Sequence, residues 1–231
     1  MSHSQQTDLQ LPPLSLYVHI PWCVQKCPYC DFNSHALKGG IPEQEYVAHL
    51  LDDLRADLPY VQGRKLHSIF FGGGTPSLLS ESAVAKLIEG IAQLIEFEHN
   101  IEITLEANPG TLEYNKFAGF NQAGVNRISI GVQSFQADKL EALGRIHSCE
   151  EARKAAEFAL ASVPRFNLDL MHGLPNQNLS DAIGDLKQAI ALNPDHLSWY
   201  QLTIEPNTLF YSKPPKLPQD DILWQIQQQG Q

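Results

Sequence analysis

Three cysteines fall within eight residues, in Cys23-Val-Gln-Lys-Cys27-Pro-Tyr-Cys30. Thiolates are the usual protein ligands of iron–sulfur clusters, and a short loop can fold three of them onto one small body. Three thiolates leave one iron of a cubane without a protein ligand, and that iron can take a small molecule. Zinc competes for the same residues, with His19, His35 or Cys149 as fourth ligand, and a disulfide is the third alternative. Zinc sites usually pair two half-sites, whereas this triplet stands alone directly after a strand-like run.

A centre of that kind needs a scaffold, and the chain alternates short β-rich runs with longer helical patterns. Strands are predicted at 15–20, 67–71, 101–107, 127–132, 165–171 and 197–204. Between them lie helices. Pro42 opens one whose apolar face is Tyr46, Val47, Leu50, Leu51, Leu54 and Leu58. Ser80 caps one carrying Val84, Leu87, Ile88, Ile91 and Ile95. Another spans about 112–122, and a short one lies near Asp138. The capping box Ser148-x-x-Glu151 starts a longer helix, and Ser180 caps one carrying Ile183, Leu186 and Ile190 that ends at Asn193-Pro194. A last helix starts near Gln219.

Six βα units without a hairpin signal predict a parallel sheet with right-handed crossovers. A doubly wound sheet concentrates its site at one switch point, whereas a barrel gathers a contribution from every strand end. Here ligand-type residues follow the strands evenly: the cysteine loop, Gly72-Gly-Gly-Thr-Pro76, Glu106-Ala-Asn-Pro109, Gln133-Ser134, Asp169 to Pro175 and Glu205-Pro-Asn207. The expectation is an α/β fold, a partial, open (β/α)6 TIM-type barrel over 15–231 after a flexible segment 1–14.

Hydrophobic residues make up 43% of the 231 and charged residues 18%, ordinary for a globular protein. The formal charge of −10 repels phosphate backbones and argues against nucleic acid as a partner. No apolar run approaches a membrane span, and the polar start of the chain lacks a signal-peptide core. A cytoplasmic location is expected, and clustered cysteines there point to metal or redox chemistry.

The segment Tyr17-Val-His-Ile-Pro-Trp-Cys23 leading into Cys27 and Cys30 resembles the signature of radical S-adenosylmethionine (radical SAM) proteins, in particular the oxygen-independent coproporphyrinogen oxidase family. Gly72-Gly-Gly-Thr-Pro-Ser77, Glu106-Ala-Asn-Pro-Gly110, Gly131-Val-Gln-Ser134, Gly144-Arg-Ile-His147 and Asn167-Leu-Asp-Leu170 extend the resemblance over nearly the whole chain. It implies a 4Fe–4S cluster on the three cysteines. S-adenosylmethionine would chelate the open iron, and an electron from the reduced cluster would split the sulfonium bond to leave a 5′-deoxyadenosyl radical. The oxidase branch carries a fourth cysteine where this chain has Phe32. The resemblance is therefore to the HemW-like, haem-chaperone branch, with coproporphyrinogen oxidation as the alternative and enzymatic activity left open. That branch implies haem as cargo, a haem-acceptor protein such as a membrane haemoprotein, and an electron donor. It also implies a C-terminal family domain beyond residue 231.

By motif match, Tyr17, Tyr29, Gly73, Gly74, Thr75, Glu106, Gln133, Arg145 and Asp169 would surround S-adenosylmethionine. The glycines would admit the methionyl amine, Arg145 would grip a carboxylate with two parallel hydrogen bonds, and Glu106, Gln133 and Asp169 suit ribose hydroxyls or the cationic part. Each has a plainer reading: a tight turn at 72–74, a Glu106–Arg145 surface ion pair, Asp169 capping a loop. His35 and His172 lie nearest the expected rim, without a haem-attachment pattern.

Overall fold

The computed structural model describes residues 11–231, with the side chains of 111 and 112 left aside; most of the expected segment 1–14 lies outside the described residues. In chain order the elements are β1 (Leu14–Ile20), β2 (Trp22–Cys23), β3 (His35–Ala36), α1 (Glu43–Val61), β4 (Leu66–Gly73), a 3₁₀ turn (Pro76–Leu78), α2 (Glu81–Leu94), β5 (Phe97–Ala107), α3 (Thr111–Tyr114) and α4 (Phe117–Gln122). Then come β6 (Arg127–Gln133), α5 (Ala137–Ala142), α6 (Cys149–Ser162), β7 (Arg165–His172), α7 (Leu179–Ala191), β8 (His196–Gln201), α8 (Leu209–Ser212) and α9 (Asp220–Gly230).

Six strands form one parallel sheet in the order β1-β4-β5-β6-β7-β8. The order follows the chain without reversal, so no switch point exists and the sheet winds one way. β1 and β8 are its two ends. The architecture is the expected open (β/α)6 barrel.

Strand alternation divides the sheet into two chemically distinct faces. One carries Val18, Ile20, Ile69, Phe71, Ile103, Leu105, Ile128, Ile130, Phe166, Leu168 and Leu170, all buried in the main core with the helix residues Val84, Leu87, Ile91, Ala152 and Ala159. The other carries Tyr17, His19, Glu102, Thr104, Glu106, Ser129, Asn167, Asp169, Ser198 and Tyr200. That polar face is knitted together. Asn167 donates to Ser129 (2.7 Å), Asp169 (2.8 Å) and Ser198 (3.1 Å), and Ser129 donates to Asp169 (2.8 Å).

Local expectations differ at five places. The helix over 112–122 is two short helices, broken at Asn115 and Lys116, where the Lys116 ammonium turns to the carbonyls of Ser77, Leu78 and Leu79. α7 is capped by Asn178, not Ser180, through a reciprocal box with Asp181. Ile190 is exposed, and the buried stripe of α7 is Ala182, Asp185, Leu186 and Ala189. The sixth strand stops at Gln201 rather than Ile204. The parallel pair β2–β3 was not expected at all; it closes the cysteine loop at its base.

Candidate functional site

The cysteine loop is held from several directions. Trp22 and Cys23 pair with His35 and Ala36, and the His35 N–H donates to Pro21 O (2.7 Å). Inside the loop, Lys26 donates to the carbonyls of Phe32 (2.9 Å) and Ser34 (3.1 Å). His19 ties the loop to β1. Its Nε2 lies 2.8 Å from Asn33 O, an acceptor only, so Nε2 carries the proton and Nδ1 accepts from the Tyr17 hydroxyl (3.1 Å). All four cysteines are free thiols, so no disulfide joins the three.

Cys23, Cys27 and Cys30 line one cavity of about 340 Å³ with Tyr29, Gly73, Gly74, Thr75, Glu106, Gln133, Arg145 and Asp169. Every residue expected at the site from sequence is therefore brought to one place except Tyr17. Its ring stacks on Phe70 (centroids 6.4 Å) and it reaches the loop through His19, outside the cavity lining. Phe32, at the position of the oxidase branch's extra cysteine, is exposed on the cavity rim.

The glycines have a packing role. Gly74 N–H donates to Ile20 O (2.6 Å) and Thr75 N–H to Trp22 O (2.7 Å). A Cβ on Gly74 would lie 2.5 Å from Trp22 O, and Gly73 holds a φ of +109°. The end of β4 thus seats directly on the backbone entering the cysteine loop. Gly74→Ala forces backbone apart at that contact and is expected to destabilise the chain by about 1–3 kcal/mol in denaturant unfolding.

The Glu106 and Asp169 carboxylates face the cavity from β5 and β7, with β6 between them. Burial pushes Glu106 up to about 7; Asp169 adds to the rise and a Gly73 N–H hydrogen bond opposes it. Glu106 and Arg145 form no ion pair. Arg145 instead donates through Nη2 to Asn108 Oδ1 (2.7 Å) and Gly131 O (2.8 Å), and through Nη1 to Cys27 Sγ (3.5 Å). With Nη2 engaged, the expected two-nitrogen grip on a ligand carboxylate falls to the other guanidinium nitrogens. Gln133 adopts a left-handed φ of 66° at the end of β6 and accepts from the Tyr200 hydroxyl (3.0 Å). The Ser134 hydroxyl (2.7 Å) and the Phe135 N–H (2.9 Å) donate to buried Asp185 and anchor this turn. Burial, and secondarily Arg145, lowers His147 to about 4, so the ring is neutral and donates through Nε2 to Val132 O (3.0 Å).

Asn108, Ser129 and Tyr200 also line the cavity, and sequence reasoning gave them no role. Strand parity was the available signal for two of them: Ser129 shares a face with Gly131, and Tyr200 with Ser198.

The donor chemistry fits an iron–sulfur cluster. No three His, Cys, Asp or Glu side chains among the described residues are gathered tightly enough for a single ion. The three thiols open onto one shared cavity, and thiolates are the usual ligands of such clusters. The remaining lining offers carboxylates and an amide to a cationic, hydroxyl-bearing ligand.

Comparison with known proteins agrees with this. Over 226 residues the chain is 64% identical to the heme chaperone HemW of Haemophilus influenzae, and over 223 residues 63% identical to that of Escherichia coli K12; each match covers 96% of this chain and 59% of the relative. The chain thus spans about three-fifths of their length. Among solved structures, coproporphyrinogen III oxidase (HemN) from Escherichia coli superposes with a TM-score of 0.83 at 28% identity, over 94% of this chain and 51% of that one. The archaeal Elp3 of Methanocaldococcus infernus shares the fold, with a TM-score of 0.67 at 15% identity. The family model of the radical SAM superfamily matches residues 17–189, three-quarters of the chain and every strand but the sixth, and on that match the chain belongs to the radical SAM superfamily.

Proposed function

We propose that this chain is the cluster- and S-adenosylmethionine-binding part of a haem chaperone, working in the cytoplasm. Cys23, Cys27 and Cys30 hold a 4Fe–4S cluster. When bound, the cluster supplies the electron that breaks the sulfonium C–S bond of S-adenosylmethionine. The chain's residues position the ligand. Gly73, Gly74 and Thr75 would receive its amine, Arg145 would hold its carboxylate, and Glu106 and Asp169 would take hydroxyls or balance cationic charge. Gln133, fixed by Tyr200, contributes an amide. Tyr29, half-buried against Phe210 with its phenol pKa raised by desolvation, walls the cavity beside Cys27. Tyr17 acts at one remove, by fixing the His19 tautomer that anchors Asn33. Haem is the cargo, passed to an acceptor protein.

The observation that carries this reading is that three free thiols open onto the same cavity as the Glu106, Gln133, Arg145 and Asp169 side chains. Identity of 63–64% to heme chaperones and Phe32 at the cavity rim support the chaperone over the oxidase. The likeness to coproporphyrinogen III oxidase keeps oxidative decarboxylation as the second reading.

Anaerobic reconstitution with iron and sulfide, followed by electron paramagnetic resonance, is expected to give a reduced cluster whose spectrum S-adenosylmethionine alters. A spectrum indifferent to the ligand removes the open-iron assignment. A Soret shift on haem titration, with no turnover of coproporphyrinogen III, separates chaperone from oxidase. Formation of protoporphyrinogen reverses that choice.

A further inference from the structure

A chain of side-chain hydrogen bonds runs from the Cys27 thiol through Arg145 and Asn108 to the Thr75 hydroxyl, which shares the cavity lining with Cys23. Arg145 Nη1 donates to Cys27 Sγ (3.5 Å) and Arg145 Nη2 donates to the Asn108 side chain (2.7 Å). Asn108 lies 3.1 Å from Thr75 Oγ1, and the Thr75 hydroxyl shares the cavity lining with the Cys23 thiol, where it opposes the rise that burial gives the thiol's pKa. The direction of this chain is fixed by chemistry. Arginine has only donors, so the Asn108 atom facing it is the oxygen. The amide nitrogen therefore faces Thr75 and donates to its Oγ1. With that lone pair occupied, the Thr75 proton is left for the sulfur of Cys23.

Asn108 is itself anchored. Its backbone N–H donates to the buried Glu113 carboxylate (2.8 Å), which also accepts from the Ser77 hydroxyl. Lys116, donating to the carbonyls of Ser77 (3.0 Å) and Leu79 (3.1 Å), pins the same turn. Asn108 thus belongs to a rigid knot beneath the cavity.

We propose that Asn108 is a positioning residue that sets the reduction potential of the cluster by aiming one donor at each of two ligand sulfurs, Arg145 at Cys27 and Thr75 at Cys23. This rests on the cluster assignment above. Hydrogen bonds to ligand sulfurs stabilise the more negative, reduced state and raise the potential. Aspartate, nearly isosteric, cannot replace the amide. Its second oxygen accepts where the amide donates, which turns the Thr75 proton away from Cys23.

The test is an electron paramagnetic resonance-monitored redox titration of the reconstituted chain, with iron and labile sulfide measured on each sample. Asn108→Leu is expected to shift the reduced-to-oxidised ratio at fixed potential about tenfold toward oxidised, about 59 mV lower for a one-electron couple. Asn108→Asp, which keeps the bond to Arg145 and the shape of the site, is expected to shift the same way. In a Thr75→Val background, the effect of Asn108→Leu shrinks to no more than about threefold, because one of its two routes is already cut. Wild-type potentials in both Asn108 variants at full cluster content overturn the proposal. So does full additivity with Thr75→Val, which marks Asn108 as merely structural. A wild-type chain that takes up neither iron nor sulfide overturns the cluster assignment instead, and this inference with it.

Discussion

Cys27→Ala is expected to leave the reconstituted chain with less than a tenth of the wild-type iron and labile sulfide, because losing a ligand itself costs more than the loss of an outer partner, which alone weakens metal affinity about 10–100-fold. Two losses combine. The loop keeps two thiolates, too few to hold three corners of a cubane. The Arg145 guanidinium, half-buried and directed at the Cys27 sulfur, also loses an anionic partner and is left with neutral acceptors only, which is costly for a partly desolvated cation. Cys149→Ala is the control. Cys149 starts α6, well away in sequence from the triplet and outside the cavity lining, so iron and sulfide stay at wild-type levels. Equal loss in both variants, or loss in neither, removes the triplet as cluster ligands. Absorbance near 400 nm is not needed for this comparison; iron and sulfide assays suffice.

Glu106→Gln is expected to stabilise the ligand-free chain at alkaline pH and to do nothing at acid pH. Burial raises the Glu106 carboxyl from 4.5 to about 7 in the fold. Between those values the native state binds more protons at this group than the unfolded state does, so stability contributed here falls as pH rises. Below pH 4.5 both states carry the neutral acid, and glutamine imitates it, accepting the same Gly73 N–H. Above pH 7 the wild type holds a desolvated carboxylate beside Asp169 and the variant does not. The gap at pH 8 is on the order of 3 kcal/mol in favour of the variant. Urea unfolding from pH 4 to 8 measures it, and a gap that is constant across that range sinks the argument. His147 tilts the same curve the other way in both proteins: lowered to about 4, it withdraws stability as pH falls from about 6.5 toward 4, so it cancels in the difference. The variant exchanges ligand recognition for stability, the usual relation at sites that hold charge ready for a partner.

The scaffold was readable because its signals are local. Alternation within each strand and the apolar period of α1 and α2 lie within a dozen or so residues. The cysteine triplet and the capping box at Ser148 are local too. Glu106, Gln133 and Asp169 could be placed because each sits at or near the end of a strand of known direction, and a parallel sheet brings all such ends to one rim.

What stayed hidden depends on partners distant in sequence. Asn108 acquires its role from Arg145, 37 positions on, and Tyr200 from Gln133, 67 positions back. Arg145 suggested a free fork for a carboxylate because its three protein acceptors come from separate elements. Ser180 is a residue type that caps helices, but the reciprocal bonds between Asn178 and Asp181 place the cap two residues earlier, and that pairing is set only in the fold. Nothing within 112–122 announces that Lys116 reaches back to the 3₁₀ turn, so the break in that helix is visible only in the fold.

The two-faced sheet has a consequence for how the molecule behaves between encounters with its ligand. A barrel interior filled with hydrocarbon collapses on itself or must be prised open. Here the concave side is propped by Asn167, Ser129, Asp169 and Ser198, whose bonds to one another do not depend on a guest. Water can enter and leave such a chamber without exposing oil, while the oily side stays sealed beneath the helices. The container keeps its shape through filling and emptying, so a visiting molecule meets walls already in position.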